Sequence, residues 1–340
     1  DPTSNSARAV LVSRGQTLSR PIRNIYNELK NLQSEIDKNI EKEINKINRI
    51  VVSIADLNKR MSEAAVTGTS SNDYSSERTE LVKELAGELG IVTLEDEFGR
   101  ITVLTDSGRV LVDGDKYWSL TTIKDESTGF NMVGWKDLSG NVSDITSLIN
   151  KGTLKGLLSM RDEKIVEFAD QIDELAKTII TDVNNIHKTG YNLNNTTNIS
   201  FFKEITSSYA FNMEVSEEIA SDARNISATS SSAKPSDNDI ALALARLGET
   251  ERTIGTHQST FVDYISSITS NIGELTKNAQ DLHEYQSNTM LLMQQQRESV
   301  SGVSIDEELS NLIKFQYAYQ AASKLITIAD ELFKNLIEAV

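Results

Sequence analysis

Cysteine is absent from this chain, and with it go disulfides, thiolate metal sites and cysteine nucleophiles. Such a composition suits a protein that crosses membranes unfolded and needs no oxidation afterwards. Proline occurs only at Pro2, Pro21 and Pro235, so helix breakers are few and long helices are permitted. Histidine is equally scarce. His187, His257 and His283 stand apart, with no pair at metal-ligand spacing, and read as surface or helix-end side chains. No candidate His accompanies a Gly-flanked Ser, so a serine triad has no anchor, and no glycine loop of the phosphate-cradling kinds is present. Asp106-Ser107-Gly108 and Asp113-Gly114-Asp115 lack the twelve-residue ligand spacing of a calcium loop and read as β-turns. The sequence therefore nominates no catalytic, cofactor-binding or metal-binding residue, and no cofactor. No run approaches the roughly 18 uninterrupted apolar residues of a membrane span. Asp1-Pro2-Thr3-Ser4 opens a polar stretch without the features of a signal peptide, and the missing initiator Met fits a fragment or processed form.

The charge is one-sided. Lys and Arg total 34 against 50 Asp and Glu, a net of −16. An acidic surface repels phosphates and gains nothing from anionic lipid, so neither nucleic acid nor membrane is an expected partner. With 340 residues, of which 38% are hydrophobic, there is material for more than one packed unit.

Periodicity then orders the chain. Between Pro21 and about Met61, Ile22, Ile25, Leu29, Leu32, Ile36, Ile40, Ile44, Ile47, Val51 and Ile54 follow one another at steps of three or four, as on a helix packed against another element. A turn-rich break follows, then a short helix over roughly Ser75–Glu88. Ile101–Leu104, Val110–Val112 and Tyr117–Leu120 are short β-prone runs separated by the two Asp/Gly turns, and both tryptophans, Trp118 and Trp135, fall nearby. Helix returns from about Thr153 to His187, with its stripe at Ile165, Phe168, Ile172, Leu175, Ile179, Val183 and Ile186. Tyr209–Val215 is strand-like, and Ile226–Ala233 is Ser/Thr/Ala-rich and reads as a surface loop or linker. Asp237 stands where it can cap a short helix through Ala245. A long amphipathic helix runs from Phe261 through Met293 and breaks at Ser301-Gly302-Val303, after which Ser304 and Glu307 form a capping box.

The final helix keeps a seven-residue repeat: Ile305, Leu312, Tyr319, Ile326, Phe333 and Val340, with the companion row Phe315, Ala322, Ala329 and Leu336. A third row, Ala318, Leu325, Leu332 and Ala339, widens the face beyond a two-stranded seam. At 1.5 Å per residue this helix is about 54 Å long, more than one small β unit covers, so it requires other long helices as partners. The residues nominated for subunit packing are Ile305, Leu312, Phe315, Tyr319, Ala322, Leu325, Ile326, Ala329, Leu332, Phe333 and Leu336; Tyr317 lies off the main stripe.

The expected fold is mainly α with inserted β: an elongated long-helix bundle built from both terminal regions, with small antiparallel β units in the middle. Its expected segments are 1–89, the N-terminal part of a helical rod; 90–150, a β-rich outer domain; 151–188, a long helix returning to the rod; 189–236, loop and β-rich; 237–300, the C-terminal part of the rod; and 301–340, the amphipathic tail.

The stretch Ser301-Gly302-Val303-Ser304-Ile305-Asp306-Glu307-Glu308-Leu309, continuing through Phe315-Gln316-Tyr317-Ala318-Tyr319-Gln320 to Ala329-Asp330-Glu331-Leu332, resembles the C-terminal signature of flagellar axial proteins. Glu77-Arg78-Thr79-Glu80-Leu81-Val82-Lys83-Glu84-Leu85 and Leu148 to Asp162 resemble a short helix and a turn into a long helix in the hook-associated protein 1 family. Pro2-Thr3-Ser4 through Gln16-Thr17-Leu18 fits that family too, so the resemblance spans nearly the whole chain and is weakest in the β regions. The departure lies at the start, where family members carry an extra region whose long helix partners the C-terminal one; by that comparison the Ile305–Val340 helix lacks its usual mate.

The resemblance implies a secreted, extracellular structural protein exported through the flagellar type III apparatus without a cleaved signal. Its implied place is the hook–filament junction, with hook protein and hook-associated protein 3 as neighbours and self-association in the junction zone. A flagellar export chaperone is implied for the C-terminal region. Another axial protein of hook or distal rod, or a surface adhesin with a helical stalk, are the alternative readings.

Overall fold

The computed structural model of this chain describes all residues except 1, 68–71, 98, 235, 302–304 and 339–340, and leaves out the side chains of 300, 301, 305–308 and 329–338. The chain divides into two units, Asp1–Ile268 and Thr269–Val340. The fold is mainly helical, with small antiparallel sheets inserted between the helices.

One helix, α1 (Asn5–Thr67), organises the first unit. It runs past both limits of the expected Pro21–Met61 helix, and Pro21 lies inside it. Pro21 has no N–H for the Thr17 carbonyl, but its position is exposed, so water can serve that carbonyl. Burial carries the helix across the proline: Arg8, Val12, Gly15, Ser19 and Ile22 face the protein. Of the expected stripe, Ile22, Ile36, Ile40, Ile44, Ile47, Val51 and Ile54 are buried, whereas Ile25 and Leu32 are exposed.

Helix α2 (Asn72–Glu88) leads into two antiparallel sheets. The first runs β1 (Ile91–Glu95), β2 (Ile101–Thr105), β3 (Val110–Asp113), β4 (Lys116–Tyr117); the second runs β5 (Ser119–Lys124), β6 (Asn131–Lys136), β7 (Val142–Asp144). Both Asp/Gly turns sit between paired strands, with Gly108 and Gly114 at positive φ. The Tyr117–Leu120 run is divided: Tyr117 pairs with Val112 in the first sheet, while Leu120 pairs with Trp135 in the second. Val103, Leu111, Val112, Leu120 and Val133 form one core with Ile36–Ala55 of α1.

Three polar side chains on the same helix stitch it to strand backbone. Asp37 Oδ1 accepts from Asn131 N at 2.7 Å, and Asp37 Oδ2 from Asn131 Nδ2 at 2.9 Å. Asn48 exchanges two bonds with Leu120, its Nδ2 donating to the carbonyl and its Oδ1 accepting from the amide, both at 2.8 Å. Asn58 Nδ2 donates to the carbonyls of Ile101 and Gly114 at 2.8 Å, while its Oδ1 accepts from Ile101 N and Arg78. Steps of eleven and ten residues keep these groups close to one helix face. Each takes backbone groups that burial would otherwise leave unpaired.

Helix α3 (Gly152–Ser159) passes through a π-helical segment, Met160–Lys164, into α4 (Ile165–Thr189). That wider turn places Arg161, which is buried, over Asp37 (Nη1 to Oδ1, 2.7 Å) and the Asn131 carbonyl (2.7 Å). Its remaining nitrogens chelate Asp162, and Gln33 Nε2 donates to its carbonyl at 2.8 Å. At the start of α3, Gly152 has φ +83°, and a Cβ there would lie 2.4 Å from the Glu88 carbonyl oxygen. Only glycine fits this crossing.

The region after α4 departs from expectation in four places. Tyr209–Asn212 is a single turn of helix (α5), not strand, although Val215 bridges Phe202. Of the expected surface loop Ile226–Ala233, Ile226–Thr229 is buried, because its backbone is taken up by Arg8, His187 and Tyr191, while 230–233 lie at or near the surface. His187 stands in the last turn of α4, a helix end as expected, but is fully buried and not at the surface. Asp237 does not cap helix α7 (Asp239–Arg246); its carboxylate accepts from Asn238 N, and Asp239 accepts from Ser230 N. The lower half of the α4 stripe also turns polar, with Asn184 and His187 buried where Val183 and Ile186 are half-buried. Asn184 pairs with both backbone groups of Phe202 at 2.9 Å, as Asn48 does with Leu120. After a short α6 (Glu217–Ser221), the hairpin β8 (Arg252–Ile254) and β9 (His257–Ser259) closes the unit, with Tyr264 and Ile268 of α8 (Phe261–Ser301) buried.

The second unit holds the rest of α8 and α9 (Ile305–Glu338). Helix α8 ends at Ser301 and α9 begins at Ile305; the break expected at Gly302-Val303 and the Ser304 capping box lie outside the described residues.

Replacing Arg161 by Ala leaves the buried Asp37 carboxylate with only the largely exposed Lys124 ammonium, at 3.8 Å, as counter-charge. We expect a loss of about 3–5 kcal/mol, read by urea unfolding with Trp135 of β6 as the fluorescent reporter. Gly152→Ala is expected to lower stability by more than about 1 kcal/mol, since both the backbone region and the Glu88 carbonyl oppose it.

Candidate assembly surface

Of the residues nominated for packing, Leu312, Phe315, Tyr319, Ala322, Leu325 and Ile326 are all exposed on α9. Ile305, Ala329, Leu332, Phe333 and Leu336 belong to the same helix, with side chains outside the description. Tyr317, off the stripe, is also exposed. No described side chain from Leu309 to Ile328 is buried. Phe315 at 74% and Tyr319 at 76% exposure are extreme for large aromatics. Helix α8 continues the trend with Tyr285, Met290, Leu291, Leu292 and Met293 exposed.

The periodicity of α1 conceals a second row. Leu11, Leu18, Ile25 and Leu32 are seven residues apart and all exposed at 41–46%. Residues at this spacing lie along one side of a helix, and this row runs beside the one holding Val12, Gly15, Ser19 and Ile22, about a quarter-turn around the helix. The sequence reading put Ile25 and Leu32 in one stripe with their buried neighbours, because steps of three and four describe both rows equally well.

Charge differs between these surfaces. Arg14, Arg20 and Arg23 on the first half of α1 form no ion pair among the described residues. Residues 305–338 carry Asp306, Glu307, Glu308, Asp330, Glu331 and Glu338 against Lys314, Lys324 and Lys334, six acids to three bases. Among the described residues no cluster of three or more His, Asp or Glu side chains is arranged to hold a metal, and no helix is long and apolar enough to cross a membrane.

The pattern of the flagellar hook-associated protein FlgK helical domain matches residues 1–202, more than half of the 340-residue chain. The chain belongs to the FlgK family. A second pattern, the C-terminal region of the flagellar basal body rod FlgEFG proteins, matches residues 294–339 and so covers most of the exposed α9 row. Flagellar hook-associated protein 1 of Bacillus subtilis is 26% identical, over 98% of this chain and 72% of that protein. Its Escherichia coli counterpart is 23% identical, over 98% and 76%. The structure of the flagellar hook junction protein FlgK from Burkholderia pseudomallei superposes with a TM-score of 0.55 at 22% identity, covering 59% of this chain and 37% of that one, a likeness of fold. Membership in the FlgK family makes this a structural, hook-associated component of the flagellum, exported to its extracellular part.

The two rows of α1 are separable by stability. Leu18→Ala is expected to change unfolding free energy by no more than about 0.5 kcal/mol, whereas Ile22→Ala, on the buried side, costs about 2–5 kcal/mol. Denaturation of the two variants in parallel measures both.

Proposed function

We propose that this chain is the structural subunit that joins hook to filament, without catalysis, and that it assembles by burying the apolar rows of its terminal helices against neighbouring subunits. The observation that carries this reading is the exposed row of α9, from Leu312 through Ile326, in a member of the FlgK family. An apolar helix face is stable only when covered. Each Leu, Ile or Phe buried fully there contributes on the order of 1.5–3 kcal/mol relative to exposure. That is enough, over ten residues, to hold subunits together against the cost of ordering them.

In this reading 1–89, 151–188 and 237–300 form the helical rod, 90–150 is the outer β domain and 301–340 is the tail that enters the wall of the fibre. Copies associate with one another in the junction zone. The basic start of α1 and the acidic α9 are of a sign to attract when they belong to neighbouring copies. Hook protein lies on one side of the zone and hook-associated protein 3 on the other. Heterologous contacts of this kind propagate without closing, so a different protein on each side turns the subunit into an adaptor. Before assembly the bare α9 face is an aggregation hazard, which is the physical reason for a chaperone on the C-terminal region during export.

Leu312→Asp with Phe315→Asp is expected to abolish incorporation while the Trp135 signal of the β unit unfolds at the same denaturant concentration. Normal incorporation of that double variant would sink the packing reading. Immuno-electron microscopy of a tagged full-length protein is expected to label only the hook–filament boundary, with hooks lacking filaments in the deletion strain. Label along the hook or rod would assign another axial position, and label on the cell body with intact flagella would favour an adhesin.

A further inference from the structure

His187 sits at the end of α4 with no exposed surface, and both ring nitrogens are engaged by backbone. Nδ1 bonds the Ile199 carbonyl at 2.7 Å, a contact that requires the proton to be on Nδ1. Nε2 faces the Ser227 amide at 2.9 Å and must accept, which requires a bare nitrogen. The two contacts together therefore demand the neutral ring.

What the ring holds is more than one loop. Ser227 belongs to a buried strap whose Ile226 carbonyl accepts from Arg8 of α1, and Thr229 bridges Tyr191. The Phe201 ring stands edge-on to His187 at 5.7 Å, and Gly15 of α1 is so close to Phe201 that a Cβ would lie 2.8 Å from its ring. The start of α1, the strap and the segment after α4 thus converge on one imidazole.

Arg8, itself buried, is the charged group that bears on the ring. Several other charges on the surrounding elements are engaged elsewhere. Lys188 pairs with Glu204, Lys203 with Glu214 and Asp222 with Arg224, while Asp239 accepts from Ser230 N. Among the described residues no carboxylate bears on the ring. Burial first, and the Arg8 charge as well, hold the ring's proton affinity below the ordinary histidine value of 6.5.

We propose that His187 is a proton-operated latch: its neutral ring ties the 226–229 strap and the first turns of α1 to α4, and protonation at Nε2 releases them. The added proton turns an acceptor into a donor facing the Ser227 N–H, and places a second positive charge beside Arg8. The sign follows from the depressed affinity. The latch is fully closed above about pH 6.5, where open and closed forms are both neutral. Below that the open form takes up the proton first, so the latch weakens as the pH falls toward the closed form's own titration. The latch stands apart from the assembly reading. Only its consequence, that acid loosens the helix carrying the Leu11–Leu32 row, rests on that reading.

Hydrogen exchange of the full chain, corrected for intrinsic rates and followed from about pH 7.5 to 5, tests it directly. Peptides covering 224–230 and 5–12 are expected to open about tenfold more per pH unit below about 6.5, while peptides from β2 and β3 stay protected. In His187→Gln, which carries no titrating ring, that pH dependence is expected to flatten. A strap that responds to acid as strongly in the variant, or β2 and β3 peptides that open in step with it, would overturn the latch. Where the variant does not fold, the imidazole resonances of the wild-type chain decide: a folded midpoint well below 6.5 supports the latch, and one at or above it refutes it.

Discussion

The first unit depends on one constraint: a helix of 63 residues must cover two small sheets and satisfy the backbone groups it buries. Helix α1 does both from the same side. Its isoleucines exclude water from Val103, Leu111, Leu120 and Val133, and Asp37, Asn48 and Asn58 pair with the strand groups that this exclusion would strand. An apolar side chain in place of Asn58 would preserve the packing and orphan the Ile101 amide and carbonyl in a buried setting, where each costs about 1–3 kcal/mol. Arg161 completes the arrangement by neutralising Asp37 from the opposite helix, using the π-helical turn to reach it.

The same device appears at the other end of the unit. Asn184 and His187 of α4 serve the backbone of Phe202, Ile199 and Ser227, so a stretch without regular strands is held as firmly as a sheet edge. The two ends differ in their chemistry. An asparagine amide does not titrate near neutral pH, whereas an imidazole does, which makes the α4 end responsive to acid and leaves the Asn48 and Asn58 contacts indifferent to it.

The surfaces of α8, α9 and the outer side of α1 invert this economy. They carry large apolar side chains at regular spacing with nothing described over them. In the proposed assembly that exposure has a purpose, since a subunit that buried every stripe internally would have none left for its neighbours. Arg14, Arg20 and Arg23 on the one helix and the acidic excess on the other give the two helices opposite sign within a chain whose net charge is −16, which in the proposed assembly favours contact between unlike faces.

Much of this was legible in the residues. Mainly helical architecture with inserted antiparallel β followed from period and from the Asp/Gly turns, because turn chemistry and amphipathic spacing are local properties. The heptads of α9 and the family signature were equally local, and the family followed from them. What local pattern does not encode is which apolar row of a helix faces inward. Ile22 and Ile25 look alike in the sequence, yet one is buried and the other exposed. Nor does it encode when a polar residue stands on a packed face: nothing in the sequence marks the partners of Asn48, Asn58 and Asn184, and His187 reads as a surface or helix-end side chain until the strap it serves is brought beside it. Pro21 and the buried 226–229 strap were misjudged for the same reason, since contacts with residues far along the chain outweighed their local propensities. The sequence by itself determined most element types and the family signature, which depend on neighbours within a few residues. Only the tertiary structure decided which stripe is core and which is free, and which backbone groups the buried amides and His187 must satisfy, because burial is a property of the whole fold.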